Sequence, residues 1–191
     1  DPSARLALAR NKAMITAITD TLGNPIDTIK ALSVVRISGT VNAPTGEVLT
    51  DFNGSVVPTV FDKKSLVNTL INDPSPPPAL SPPFSFMVRK NVLYRGRATV
   101  TDGHFQFTFV VPKDIDYSVD SGRISVYAES LTANACGYTD DPLVGGTDNS
   151  AVADAVGPTI NLYLNNDQFV PGGTTNETPL LYAKLFDQSG I

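Results

Sequence analysis

YRGRATVTDGHFQFTFVV, residues 94–111, is the stretch whose reading decides the fold. Asp102-Gly103 suits a two-residue type I′ loop, because both residue types tolerate positive φ. Closing the loop there pairs Val100 with Phe105, Ala98 with Phe107, Gly96 with Phe109 and Tyr94 with Val111. The opposite face pairs Thr101 with His104, Thr99 with Gln106 and Arg97 with Thr108. One face is apolar and the other mostly polar, so a single hairpin specifies an inside and an outside. Burying a phenylalanine contributes roughly 1.5–3 kcal/mol, which makes Phe105, Phe107 and Phe109 a core anchor. The small residues opposite Phe107 and Phe109 are expected to leave room for the rings. None of this is chemistry.

Working outward, the chain has 191 residues, enough for one domain with a real core or for one domain and part of another. With 41% hydrophobic and 17% charged residues, 14 Gly and 15 Pro, it reads as folded and turn-rich rather than disordered. A net charge of -5 argues against nucleic acid and anionic membrane as partners. No apolar run is long enough to span a bilayer. Cys136 is the single cysteine, so there is no internal disulfide framework. The start at Asp1-Pro2 and the abrupt end at 187–191 read as those of a segment cut from a longer protein.

Residues 1–19 form a lead-in: a short helix-compatible run at 5–10, then an alternation of Ala13, Ile15 and Ala17 with Met14, Thr16 and Ile18 that fits a first strand. Gly23-Asn24-Pro25 marks a turn. In the next strand, 31–41, Ala31, Val35, Ile37 and Val41 share one face. Residues 55–61 are apolar and β-branched, but Pro58 lacks a donor, so they are expected to form an edge or bulged strand. Six prolines between 73 and 83 read as a stiff extended loop rather than a polyproline ligand. Phe84 to Val88 is expected to re-enter the sheet. Ile124, Val126 and Ala128 point inward from the strand at 122–129, and 134–154 is loop-like. Short strands between turn signals, without a convincing helix, predict an all-β fold, an Ig-like antiparallel β-sandwich over 20–156. Residues 157–191 are expected to be the opening strands of a second, incomplete β module; the competing reading, which no sequence repeat decides against, is that they complete the first sandwich.

Cys136 and His104 each occur once, and a Cys–His pair is the minimum for a cysteine nucleophile. Ala135-Cys136-Gly137 has a small-residue setting like that of caspase-type nucleophiles. However, His104 falls at a hairpin corner on the polar face and Cys136 in a different segment, so a turn histidine and an incidental thiol are expected. Asp140, Asp141, Asp148 and Asp154 are spread over a glycine-containing stretch. Hard oxygen ligands would suit Ca²⁺, but no compact DxDxDG spacing is present, and a solvated acidic loop is the expectation. Asn53-Gly54-Ser55 and Asn176-Glu177-Thr178 match the N-glycosylation pattern. Asp20-Thr21-Leu22 and Asp27-Thr28-Ile29 look like short O-glycosylation sites of exported Bacteroidetes proteins. With no phosphate-binding glycine loop and no His/Cys metal cluster, no catalytic, metal or cofactor-binding residue is assigned and no cofactor is expected.

Six runs, taken in order, resemble one family: DPSARLA at 1–7, KALS at 30–33, LTDFNGSVVPTVFDK at 49–63, FVVPKDI at 109–115, GPTI at 157–160 and LFDQSGI at 185–191. They are similar to the C-terminal part of the gingipain-like cysteine peptidase that acts as sortase of the type IX secretion system in Bacteroidetes. The likeness covers nearly the whole chain, and the runs at 49–63 and 109–115 are its most specific parts. The resemblance implies a caspase-like peptidase domain upstream, whose catalytic His and Cys precede residue 1, so no catalytic residue carries over to this sequence. It implies a parent protein at the cell surface, on the extracellular face of the outer membrane. That protein would remove C-terminal sorting domains from secreted cargo, help attach the cargo to the surface and work beside an outer-membrane shuttle protein. The present segment would be non-catalytic, positioning the peptidase or contacting partners. The alternative is an adhesion or carbohydrate-binding module of a bacterial surface protein, which an exposed aromatic platform would favour.

Overall fold

The computed structural model describes residues 9–70, 83–148 and 157–187, and every regular element among them is a β-strand. The chain divides into two compact units, Asp1–Asn149 and Ser150–Ile191.

In the first unit, β1 (Asn11–Thr19), β3 (Val34–Asn42), β9 (His104–Val110), β8 (Ala98–Thr101), β4 (Gly54–Phe61), β11 (Arg123–Ser130) and β12 (Asn134–Thr139) are hydrogen-bonded in that order. The last of these pairs back onto β1, so the seven strands form a closed, barrel-like sheet. The expected all-β class holds, but the main sheet is closed on itself rather than divided into the two open layers of an Ig-like sandwich. Its closing seam, β1 on β12, is parallel, whereas the other pairs of the ring are antiparallel. Residues 11–19, expected in the lead-in, supply a full member of this ring.

Alternation fills the interior. Val35, Ile37 and Val41 from β3, Phe105, Phe107 and Phe109 from β9, and Ile124, Val126 and Ala128 from β11 are all buried. Polar partners one residue along, such as Gln106 and Thr108, face outward and are exposed. The Asp102-Gly103 turn has the two positive φ angles, 50° and 75°, that a type I′ loop requires. The hairpin is only two pairs deep, however: Thr101 with His104 and Val100 with Phe105. Beyond them β8 leaves β9 and follows β4.

Gly96 therefore does not sit opposite Phe109. The ring that fills this space belongs to Tyr94, stacked on Phe109 with centroids 4.8 Å apart and on Phe107 at 5.6 Å. A Cβ on Gly96 would lie 2.0 Å from the Tyr94 hydroxyl oxygen, so this glycine accommodates Tyr94.

Pro58 does not demote its strand. β4 pairs with β11 along all eight of its residues, and on its other side with β8 and then with β7 (Val92–Arg95). β7 and β8 are interrupted at Gly96 and Arg97. There Gly96 N–H donates to Pro58 O at 3.3 Å, and Pro58 has no N–H to return. The missing donor interrupts the neighbouring strand and leaves β4 in the middle of the sheet.

Other expectations change because the chain switches sheets. The strand expected at 31–41 breaks at Leu32, whose φ is 68°, into β2 (Thr28–Ala31) and β3. β2 pairs in parallel with β13 (Leu143–Thr147), which pairs with β10 (Asp120–Ser121). The loop-like stretch 134–154 thus contains β12 and β13. β6 (Ser85–Val88) does not re-enter the main sheet; among the described residues it pairs only with β5 (Ser65–Asn68). The proline-rich stretch lies, Pro83 apart, outside the described residues, as does Asp154.

In the second unit, β14 (Thr159–Leu164) and β15 (Leu181–Phe186) form an antiparallel pair. One face carries Ile160, Leu162 and Leu164 opposite Leu185, Ala183 and Leu181.

Candidate functional site

Cys136 is exposed on β12, between Lys12 of β1 and Tyr127 of β11. His104 is exposed at the start of β9, opposite Thr40 of β3. With β1 and β3 between them in the sheet order, three interstrand steps separate the two strands, roughly 14 Å along the surface. No Cys–His pair forms.

The acidic stretch is organised by arginine. Arg123 grips Asp140 with both Nε and Nη2, each 2.7 Å from a carboxylate oxygen. Arg89 Nη2 lies 3.2 Å from the same carboxylate and also donates to Gly122 O. The Arg123 hydrogen bonds, and then the nearby Arg89 charge, hold the Asp140 carboxyl below its usual range. Asp141 accepts from the Thr139 hydroxyl, and Asp148 N–H donates to Ala31 O. Among the described residues, no three His, Cys, Asp or Glu side chains come together as a metal would need. Two guanidinium groups on Asp140 also make it a poor ligand for a dication.

The short sequence motifs serve local structure. Asp20 Oδ1 accepts from the N–H groups of Leu22 and Asn24, both at 2.8 Å, and its carboxyl is held low chiefly by the Asn24 side-chain amide. Thr28 hydroxyl donates to Asp27. Asn53 binds the Asp102 N–H through Oδ1, and Asn176 Oδ1 accepts from Asn165. Tyr127 and Tyr138 are exposed on β11 and β12, but the Arg123 guanidinium lies 4.5 Å from the Tyr138 ring centroid and covers one of its faces.

Two features were missed in the sequence. The first is a buried ion pair at the end of β4: Lys63 Nζ lies 2.9 Å from Asp62 Oδ1 and donates to Asp116 O at 2.5 Å. Asp62 N–H donates to Asn91 O, and Asp62 borders a cavity of about 300 Å³ that also touches Asp114. The second is a groove of about 490 Å³ beside β1, bordered by Pro25–Asp27 and by Thr139, Asp141 and Pro142. Only Pro25-Ile26-Asp27 and Asp141-Pro142, two acid–proline neighbourhoods at strand ends, hint at it in the sequence.

No family model matches the sequence, and no curated protein does. Among solved structures, the chain is similar to the crystal structure of dimeric latent PorU from Porphyromonas gingivalis. The identity is 33% over 98% of this chain, with a TM-score of 0.70. The chain spans 18% of the length of that PorU chain. The likeness supports a PorU-like β segment within a larger multidomain protein.

The two most specific runs of the resemblance have clear structural jobs. Residues 49–63 cradle the turn: Gly103 N–H donates to Phe52 O at 3.0 Å, and a Cβ on Gly54 would lie 2.0 Å from Glu129 O. The run then ends at the Asp62–Lys63 pair. Residues 109–115 carry Phe109, Val111 and Ile115 into the core. Among the described residues no helix is long and apolar enough to cross a membrane.

Proposed function

We propose that this chain is a non-catalytic scaffold segment of a PorU-related cysteine peptidase that serves type IX secretion. The observation that carries the reading is the 33% identity to PorU across 98% of the chain, with the fold retained. The wide separation of Cys136 from His104 in the sheet order supports it. On this reading the peptidase chemistry belongs to an upstream caspase-like domain, and the barrel positions that domain or contacts cargo at the cell surface.

The test has two arms. The reading frame that contains this chain should encode, before residue 1, a caspase-like domain with a His-Gly and a downstream Cys. The isolated chain should show no thiol-dependent peptide cleavage. Lack of the upstream domain, or turnover by the isolated chain that Cys136→Ala abolishes, would overturn the proposal.

A further inference from the structure

The ladder between β1 and β12 holds only at Asn11 with Ala135 and Lys12 with Cys136. The register of β1 on β3 shifts between Ile15 and Ala17, leaving Thr16 out of the ladder. On the β12 side, β1 is covered again only at its far end, where Thr19 bridges Pro25 and Ile26 N–H donates to Ile18 O at 3.0 Å. Between these two points, Met14–Ala17 has a β12-side edge with no paired strand among the described residues.

This edge opens onto the groove of about 490 Å³. Ile15, Ile18, Ile26 and Pro142 give it an apolar lining. Its far wall is tied in place by Leu143 N–H donating to Asp27 O at 3.0 Å. Two exposed carboxylates, Asp27 and Asp141, also border it. Their side-chain partners are hydroxyls, Thr28 on Asp27 at 3.0 Å and Thr139 on Asp141 at 2.5 Å, and neither is in an ion pair among the described residues.

We propose that this groove binds an extended peptide segment that adds to the free edge of β1, carries an aliphatic side chain into the groove and sets a Lys or Arg against Asp27 and Asp141. Each requirement follows from a different feature. A strand edge presents alternating N–H and C=O groups, which an extended polypeptide satisfies in register and a small apolar ligand does not. The apolar lining rewards burial of an aliphatic side chain. The two unpaired carboxylates select a cation and disfavour an acidic peptide. The bulge at Thr16 limits pairing to a short segment: four strand residues span about 13 Å, and bulged edges resist indiscriminate strand addition.

The experiment uses the 191-residue chain and two labelled peptides, acetyl-KTVTVK-amide and its counterpart with Glu in place of Lys. The Lys peptide should bind saturably and at least about tenfold more tightly than the Glu peptide. Hydrogen exchange at Ile15–Ala17 should slow when it binds. The double variant Asp27→Lys/Asp141→Lys should reverse the preference; both side chains are exposed, and its unfolding midpoint checks that it folds. Absence of saturable binding by the Lys peptide would overturn the proposal. So would equal binding of both peptides, or protection confined to another strand edge.

Discussion

Asp102 N–H donates to the side-chain oxygen of Asn53 at 3.0 Å, across 49 residues of chain. The type I′ turn is therefore held from outside as well as by its own backbone preference. Gly103 N–H donates to Phe52 O, Val41 N–H donates to Gly103 O at 2.7 Å, and a Cβ on Gly103 would lie 2.4 Å from Leu49 O. Asn53→Ala should cost about 1 kcal/mol, the usual worth of such a hydrogen bond. Gly103→Ala should cost more, about 1–3 kcal/mol, since it adds backbone strain at φ 75° to the contact with Leu49. Urea unfolding of the two variants measures both. Equal effects would mean that the loop at 49–53 contributes nothing beyond the acceptor on Asn53.

Tyr94 closes the aromatic stack over Phe107 and Phe109, and Gly96 makes room for it. Phe107→Ala should cost about 3–5 kcal/mol, as for other buried phenylalanines. Gly96→Ala should destabilise by displacing the Tyr94 ring, and much of that loss should vanish in a Tyr94→Leu background. A double-mutant cycle reads the coupling directly. Strict additivity would show that Gly96 acts through the β7–β8 interruption instead.

The inside and outside of individual strands were legible because alternation is a local property: Val35 and Ile37, or Ile124 and Val126, can be placed by counting along the chain. Which strands become neighbours was not, because closure depends on pairings such as Lys12 with Cys136 that no local pattern encodes. Pro58 shows the same limit. Its missing N–H was a correct signal, but the break it produces lies in the partner strand at Gly96. Leu32 breaks an otherwise continuous alternation with one positive φ, unexpected for a leucine. The groove was hidden for a related reason, since it is assembled from three segments and bounded by a strand edge that exists only once β12 has parted from β1.

The Arg123–Asp140 contact sets a pH dependence. Its hydrogen bonds lower the folded-state pKa of Asp140 relative to the unfolded chain. The contact therefore adds stability above the ordinary aspartate pKa of about 3.9, and that contribution is lost as pH falls through the lower folded value. The side chains are about a third exposed, 34% for Arg123 and 39% for Asp140, so the effect at neutral pH should be at most about 1 kcal/mol. Asp140→Asn should flatten stability against pH below about pH 4. An unchanged acid limb in thermal melts would assign that limb to other carboxylates.

Asp62 and Lys63 are adjacent in sequence and look like an ordinary charged strand end, yet their side chains are 2% and 7% exposed. Burying the two charges is tolerable because each has further partners: the carboxylate accepts from Lys63 N–H at 2.8 Å, and the ammonium also donates to Asp116 O. Removing one member leaves the other charge buried without compensation, which typically costs 3–5 kcal/mol in proteins. Asp62→Asn and Lys63→Met should each fall near that range, with Asp62→Asn less severe because the amide can still accept from the Lys63 backbone. The double variant should cost clearly less than the two single losses together, because no uncompensated charge remains. Chemical unfolding of the three variants gives the coupling. If the losses simply add, the two side chains act through separate contacts, Asp62 through the backbone at 63 and Lys63 through Asp116, and the ion pair itself contributes little.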